Sequence, residues 1–209
     1  MKPFTNHTGI MAPLVRHNVD TDQIIPSREM KTVSKTGLGG GLFAGWRYSD
    51  EEARTPNPDF ILNRPGFENA SILLAGRNFG CGSSREHAVW ALSDYGIRAV
   101  IAESFGSIFY TNCIRNGLLP ITLDADTIRN LADAAKVEQA KLTINLPEET
   151  ITWGREDKVH FQINPSDRDM LIKGLDPIGL TLMHRQEILA FIDRQKALRP
   201  WLYAETTQS

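Results

Sequence analysis

Polar and apolar positions follow two different periods along the middle of this chain, and the switches between them mark its elements. ASILLAG (70–76) is a short apolar run ending in glycine, the pattern of a buried strand. After the loop that follows, Ala88, Ala91, Leu92 and Tyr95 recur at i, i+3, i+4 and i+7, one face of a helix. Gly96 stands where a C-terminal cap belongs. IRAVIAESF (97–105) predicts a second buried strand, Phe105 to Asn116 a second helix closed by Gly117, and LLPITL (118–123) a third strand. Strand, helix, strand, helix, strand implies a parallel βαβ core with right-handed crossovers.

Beyond this core, Asp124 or Asp126 is placed to cap a short helix running through Ala135. KLTINLPEETITW (141–153) alternates on both sides of Pro147-Glu148-Glu149, which predicts a hairpin, and VHFQI (159–163) adds a short strand. Ile188, Leu189, Ile192 and Lys196 mark a last amphipathic helix, and Glu205 to Ser209 is a polar tail. Residues 20–60 read as loop-rich, with Asp20, Asp22, Pro26, a glycine cluster from Gly37 to Gly41, Pro56 and Pro58. The glycine cluster suits a flexible lid as well as a mobile turn. No internal repeat or low-complexity segment interrupts the pattern. The expected organisation is one domain over 1–209, with a C-terminal helical extension over about 166–200 and a short polar tail.

Composition narrows the function. The 209 residues are 41% apolar and 23% charged, ordinary for a soluble globular protein that needs no disulfide or metal to hold its core. Twenty-three Lys and Arg against twenty-five Asp and Glu give no global field for nucleic acid or an anionic membrane. Any anion recognition must be local. MKPFTNHTGIMAPL lacks the apolar run of a signal peptide and no window of 18 apolar residues exists, so a cytoplasmic location is expected. Two cysteines, Cys81 and Cys113, are too few for a disulfide framework or an iron–sulfur cluster. Both suit packed positions better than reactive ones. His7, His17, His160 and His184 show no metal-ligand spacing, and His87 fits a capping or packing role as well as a site role.

The chemistry concentrates in GRNFGCGSSREHA (76–88), between a strand end and a helix start, where open α/β sheets bind ligands. Gly80 and Gly82 let backbone N–H groups approach a ligand, and Ser83 or Ser84 can cap the helix with Glu86 or His87 completing the first turn. The helix N-terminus adds positive partial charge, and Arg85 offers a planar fork for a carboxylate or phosphate. A P-loop is excluded because no lysine lies between 76 and 88. A dinucleotide fingerprint fails at Arg85, and neither serine has the two glycines of a nucleophile elbow. A small carboxylate therefore fits better than a nucleotide. The plainer alternative leaves the serines as caps and Arg85 as a surface salt-bridge partner.

FGCGSSREHA, with IAESFGSIFYTNCIRNGLLPI (101–121), NVDTDQIIP (18–26) and GLDPIGLTLMHRQEILAFI (174–192), resembles the small subunits of 3-isopropylmalate dehydratase, members of the aconitase superfamily. The resemblance spans roughly residues 5 to 200. It implies a three-layer β/β/α swivelling domain like the fourth domain of aconitase. The implied activity is a hydro-lyase that isomerises 2-isopropylmalate to 3-isopropylmalate in leucine biosynthesis, removing water and adding it back. A [4Fe–4S] cluster on the large subunit acts as Lewis acid, so this chain carries no cofactor or metal and is inactive alone. By resemblance Ser83 is the general base, Ser84 and Arg85 bind substrate carboxylate, and Asp22 lies near the joint active site. The amides at Gly80 and Gly82 join the binding set. Glu29, Met30, Lys31 and Thr32 fall in the substrate-selecting loop, where Glu29 departs from the aromatic residue common in the family. Another hydro-lyase of the superfamily (homoaconitase, dimethylmalate or citraconate dehydratase) shares nearly the same motifs. A non-catalytic module that binds small anions is the alternative from a different class.

Overall fold

A strand buried on both faces needs a layer on each side, and this chain supplies both. The computed structural model describes residues 1–30, 34–137, 140–155 and 157–203. Its strands are β1 (Asn6–Leu14), β2 (Tyr48–Asp50), β3 (Thr55–Pro56), β4 (Ala70–Ala75), β5 (Ala99–Ala102), β6 (Leu119–Thr122), β7 (Lys141–Asn145), β8 (Thr150–Trp153) and β9 (Asp157–His160). Its helices are α1 (Thr21–Ile24), α2 (Ala44–Arg47), α3 (His87–Tyr95), α4 (Ser107–Asn116), α5 (Ala125–Ala134), α6 (Pro165–Lys173), α7 (Pro177–Leu182) and α8 (Arg185–Leu198). Among the described residues, seven strands join in the order β6-β5-β4-β1-β7-β8-β9, and β2-β3 form a separate ribbon.

The expected parallel core is present: β4, β5 and β6 pair in parallel, with α3 and α4 as the crossovers. Gly96 and Gly117 end those helices in the left-handed conformation. Asp124 caps α5 by accepting from the Thr127 amide at 2.9 Å. The hairpin is β7 and β8, and its turn is tied to α6 by Arg168 and Glu149 at 2.6 Å. The last predicted strand is shifted: β9 ends at His160, while Phe161 and Ile163 leave the ladder to fill the core.

β1 was absent from the apolar pattern, yet it lies in the middle of the sheet, parallel to β4 and antiparallel to β7. Its polar start, Asn6 to Thr8, and its Gly9 and Pro13 carry no strand signal of their own. Pairing on both sides decides the conformation here, overriding local propensity. His7 on this strand meets Ser71 of β4, Nε2 to Oγ, at 2.8 Å. Burial, then the charges of Arg98 and Lys2, push the His7 imidazole below its usual 6.5. On acidification through that value the unfolded chain takes up a proton before the folded one does, so folding stability falls. His7→Gln is expected to flatten this loss between about pH 7 and 5 in denaturant titrations; an unchanged slope would place its origin elsewhere.

Side-chain alternation in the central strands builds two cores. Leu73, Ala75, Val100 and Ala102 face a cluster closed by α3 and by Ile24, Leu42, Phe43 and Phe60 from the 20–67 segment. Ile72, Leu74, Ala99 and Ile101 face a second cluster shared with Leu142, Ile144 and Ile151 of the antiparallel strands and with α5 and α6. The antiparallel half thus curls over the parallel half, giving two β layers with α3 outside them. The expected β/β/α layering is what this packing makes. Toward the C-terminus the last helices are less covered: Ile188 and Ile192 are half-buried, whereas Leu182, Leu189 and Phe191 stay exposed.

The glycine cluster is a packed turn. Residues Gly39–Gly41 form a 3-10 turn, and Asp94 of α3 accepts from the amides of Gly37 (3.0 Å) and Gly39 (2.7 Å). Arg47 donates to the Gly39 carbonyl at 2.8 Å. The flexible-lid reading does not survive these bonds.

Candidate active site

Three loops meet at the carboxyl ends of β1, β4 and β5, and they are sewn together through the backbone. Phe79 N–H donates to Ser104 O (3.0 Å) and Gly106 N–H to Phe79 O (2.9 Å). On the other flank Asn18 N–H donates to Arg77 O (2.9 Å), Gly80 N–H to Val19 O (2.7 Å) and Thr21 N–H to Cys81 O (3.0 Å). The buried Thr21 hydroxyl donates to the Ser83 carbonyl at 3.3 Å.

These bonds change what the glycines do. Gly80 spends its amide on Val19, so it is not free to grip a ligand. It is glycine because φ is +72° and because a Cβ would lie 2.1 Å from Cγ of Phe109. At Gly82 (φ +90°) a Cβ would make only ordinary contacts, with Asp20 Cβ at 3.4 Å and Thr21 Oγ1 at 3.8 Å. The amides of Ser83, Ser84 and Arg85 have no acceptor among the described residues.

Neither serine caps α3. The helix begins at His87 with Glu86 at the cap position and no side-chain cap bond. The Ser83 carbonyl is bonded to Thr21 of α1, four residues before α3 begins, and both serine side chains are exposed. The start of α3 is held instead by Glu86, which accepts from Asn116 of α4 at 2.6 Å, while Asn116 accepts from Trp90 at 3.1 Å. His87 packs against the Trp90 ring, centroids 4.7 Å apart.

Asp22 and Arg85 lie together, although 62 positions separate them. A capping box fixes α1: Gln23 N–H donates to Asp20 Oδ1 (2.7 Å) and Asp20 N–H to Gln23 Oε1 (3.0 Å). Asp22 on that helix pairs with the Arg85 guanidinium. Ser27 joins them, accepting from Arg85 Nη1 at 3.1 Å and donating to Asp22 Oδ1 at 3.2 Å. Sequence reasoning passed over Ser27, since a lone serine after Ile25-Pro26 carries no signal of its own. Beside this cluster opens a cleft of about 470 Å³, lined by Asp22, Gln23, Pro26, Ser27, Arg28, Gly45 and Trp46.

The proposed selecting residues are placed differently. Glu29 is paired with Arg54 at 2.5 Å, its side chain 10% exposed and packed against Gly41. Met30 packs on the core cluster that holds Phe43. Lys31 and Thr32 lie outside the described residues. Cys81 is half-buried, and burial, then Asp20, raise its thiol above the usual value, favouring the inert thiol form. Cys113 is fully buried in the core and raised further by burial. Among the described residues no group of three His, Cys, Asp or Glu is placed to hold a metal ion.

A curled α/β domain that presents a Gly-Ser-Arg loop at its strand ends is the architecture of one class, and residues 1–126 match the family model of the aconitase C-terminal domain. Among curated relatives, the 3-isopropylmalate dehydratase small subunit of Cupriavidus necator is 52% identical over 205 residues, covering 97% of this chain and 99% of that one. The same-named protein of Neisseria meningitidis is 47% identical, covering 97% and 99%. A crystal structure of 3-isopropylmalate dehydratase from Methanocaldococcus jannaschii shares the fold at 31% identity and a TM-score of 0.65, over 88% of this chain and 98% of that chain. This chain belongs to the family of 3-isopropylmalate dehydratase small subunits.

Proposed function

We propose that this chain completes the active site of a hydro-lyase that isomerises 2-isopropylmalate to 3-isopropylmalate in leucine biosynthesis, in the cytoplasm and only with a large subunit. The observation that carries the reading is the meeting of Asp22, Arg85 and the exposed Ser83-Ser84 turn at one sheet edge. Family membership supplies the reaction class.

In this reading Ser83 Oγ, as the alkoxide, removes the proton alpha to a substrate carboxylate as hydroxide leaves from the neighbouring carbon. In the rehydration it delivers a proton to the carbon that lost the hydroxide while hydroxide adds to the carbon that lost the proton. A serine alkoxide is far too basic in water, so the site must stabilise it with fixed donors. The amides of Ser84 and Arg85 and the guanidinium are the donors at hand. Arg85 also holds a carboxylate, with Ser84, and substrate then competes with Asp22 for the guanidinium. A [4Fe–4S] cluster would serve as Lewis acid for the leaving hydroxyl. Cys81 and Cys113, one half-buried and one wholly buried, do not fit as its ligands, and the cluster is assigned to the large subunit.

The test is turnover of 2-isopropylmalate by this chain mixed anaerobically with a cluster-loaded large subunit. Activity is expected from the mixture and from neither part alone. Carboxylate binding by the isolated chain, with no activity in the mixture, would favour a non-catalytic anion-binding module instead. Turnover of a different malate derivative, with isopropylmalate ignored, would keep the class and change the substrate.

A further inference from the structure

The cleft beside Arg85 has a carbon wall that a plain dicarboxylate has no use for. Its polar side is Asp22, Ser27 and Arg28, the last paired with Glu51. Its other side is Pro26, Gly45 and Trp46. Trp46 is held firmly there: it stacks on Phe43 (centroids 5.9 Å, 8° between planes), tilts against Phe60 at 6.5 Å, and lies 4.4 Å beneath the Arg16 guanidinium. A ring fixed on three sides is a rigid surface, not a side chain waiting to fold over a ligand.

We propose that this wall is the subsite for the branched alkyl group of the substrate, with Trp46 as its floor and Gly45 setting the size of group admitted. The inference rests on the isopropylmalate reading and deepens it. In both isopropylmalate isomers the isopropyl group stands on a carbon that also bears a carboxylate. A clamp on that carboxylate therefore places the two methyls immediately beside it. Arg85 Nη1 lies 3.1 Å from the hydroxyl of Ser27, itself part of the cleft lining, so the clamp and the wall are neighbours. Among the described residues Glu29 and Met30 are turned to Arg54 and to the core, while Pro26 and Trp46 give the cleft beside the clamp its apolar side.

Gly45 makes the idea testable without wrecking the fold. A Cβ added there would meet nothing nearer than Arg28 Nη2, at 3.9 Å, another residue of the same cleft. Larger side chains at 45 would grow into the space assigned to the isopropyl group. The experiment compares wild type, Gly45→Ala and Gly45→Leu in the reconstituted complex, with isopropylmalate as substrate and a methyl-substituted malate titrated against it as competing ligand. For Gly45→Leu the KM for isopropylmalate is expected to rise roughly 10- to 200-fold, while the inhibition constant of the methyl compound moves by less than about threefold. Gly45→Ala should fall between. A loss of folded protein lowers the apparent kcat alone and leaves this ratio of affinities unchanged. Equal shifts for both compounds, or none for either, would overturn the subsite. Failure of the underlying reading is seen separately, as a wild-type complex that does not turn over isopropylmalate, and it takes this inference down with it.

Discussion

With Ser83 replaced by alanine, the reconstituted complex is expected to lose about 10²- to 10⁴-fold in kcat, the usual worth of a positioned general base. The argument runs through the backbone. Ser83 does not cap α3, so removing its hydroxyl forfeits no helix stability. Its carbonyl, held by Thr21, keeps the position of the turn in the variant. A drop in kcat with an unchanged unfolding midpoint therefore isolates the chemical role. Arg85→Lys is the companion. Lysine keeps the charge and loses the fork, so KM should rise roughly 10- to 100-fold while kcat changes less. Near-normal turnover by Ser83→Ala would reduce the serine to an exposed loop residue and shift the search for a base to the large subunit.

Gly80→Ala is expected to cause a large loss of stability. The added methyl carbon would stand 2.1 Å from Phe109 Cγ and 2.5 Å from both Cδ atoms, inside the ring's own radius. The backbone is left-handed at this position as well, at φ +72°. Overpacking and the left-handed penalty together suggest roughly 2–5 kcal/mol, a large share of the stability of an ordinary domain. Phe109 cannot step aside easily, since Phe79 meets its face edge-on at 5.5 Å and Phe105 stacks on it at 6.3 Å. Phe109→Ala alone should cost about 3–5 kcal/mol through its cavity. In the double variant the two costs overlap, because the alanine methyl at position 80 occupies the space the ring vacated. Urea titration of all three proteins reads the coupling. Simple additivity, or a Gly80→Ala variant within about 0.5 kcal/mol of wild type, would contradict the packing described.

The parts of this fold legible in the sequence are those where local pattern and tertiary environment agree. ASILLA, but for Ser71, and AVIA are apolar because both faces of β4 and β5 are buried, and the glycines that end α3 and α4 carry their own backbone signal. β1 was hidden because its polar first half is made a strand by partners 64 and 135 positions away, Ser71 and Thr143 among them. The loop chemistry at 80–85 was visible as a motif, yet its division of labour was not. Composition cannot say that Gly80 serves Phe109 instead of a ligand, or that the Ser83 carbonyl is bonded to Thr21. Nor could composition say that Glu29 is directed to Arg54 and Met30 to the core. Ser27 becomes a neighbour of Arg85, and shares a cleft lining with Trp46, only through the packing of the 20–60 segment onto the sheet.

The stitching of the three strand-end loops has a mechanical side. Val19, Thr21, Phe79, Cys81 and Ser104 exchange backbone bonds across all three loops, so the turn bearing Ser83 is welded to the sheet at both flanks. A side chain mounted this way has almost no travel of its own. Under the proposed function, presenting Ser83 to a substrate held by a large subunit would therefore move the whole domain body and not this turn alone.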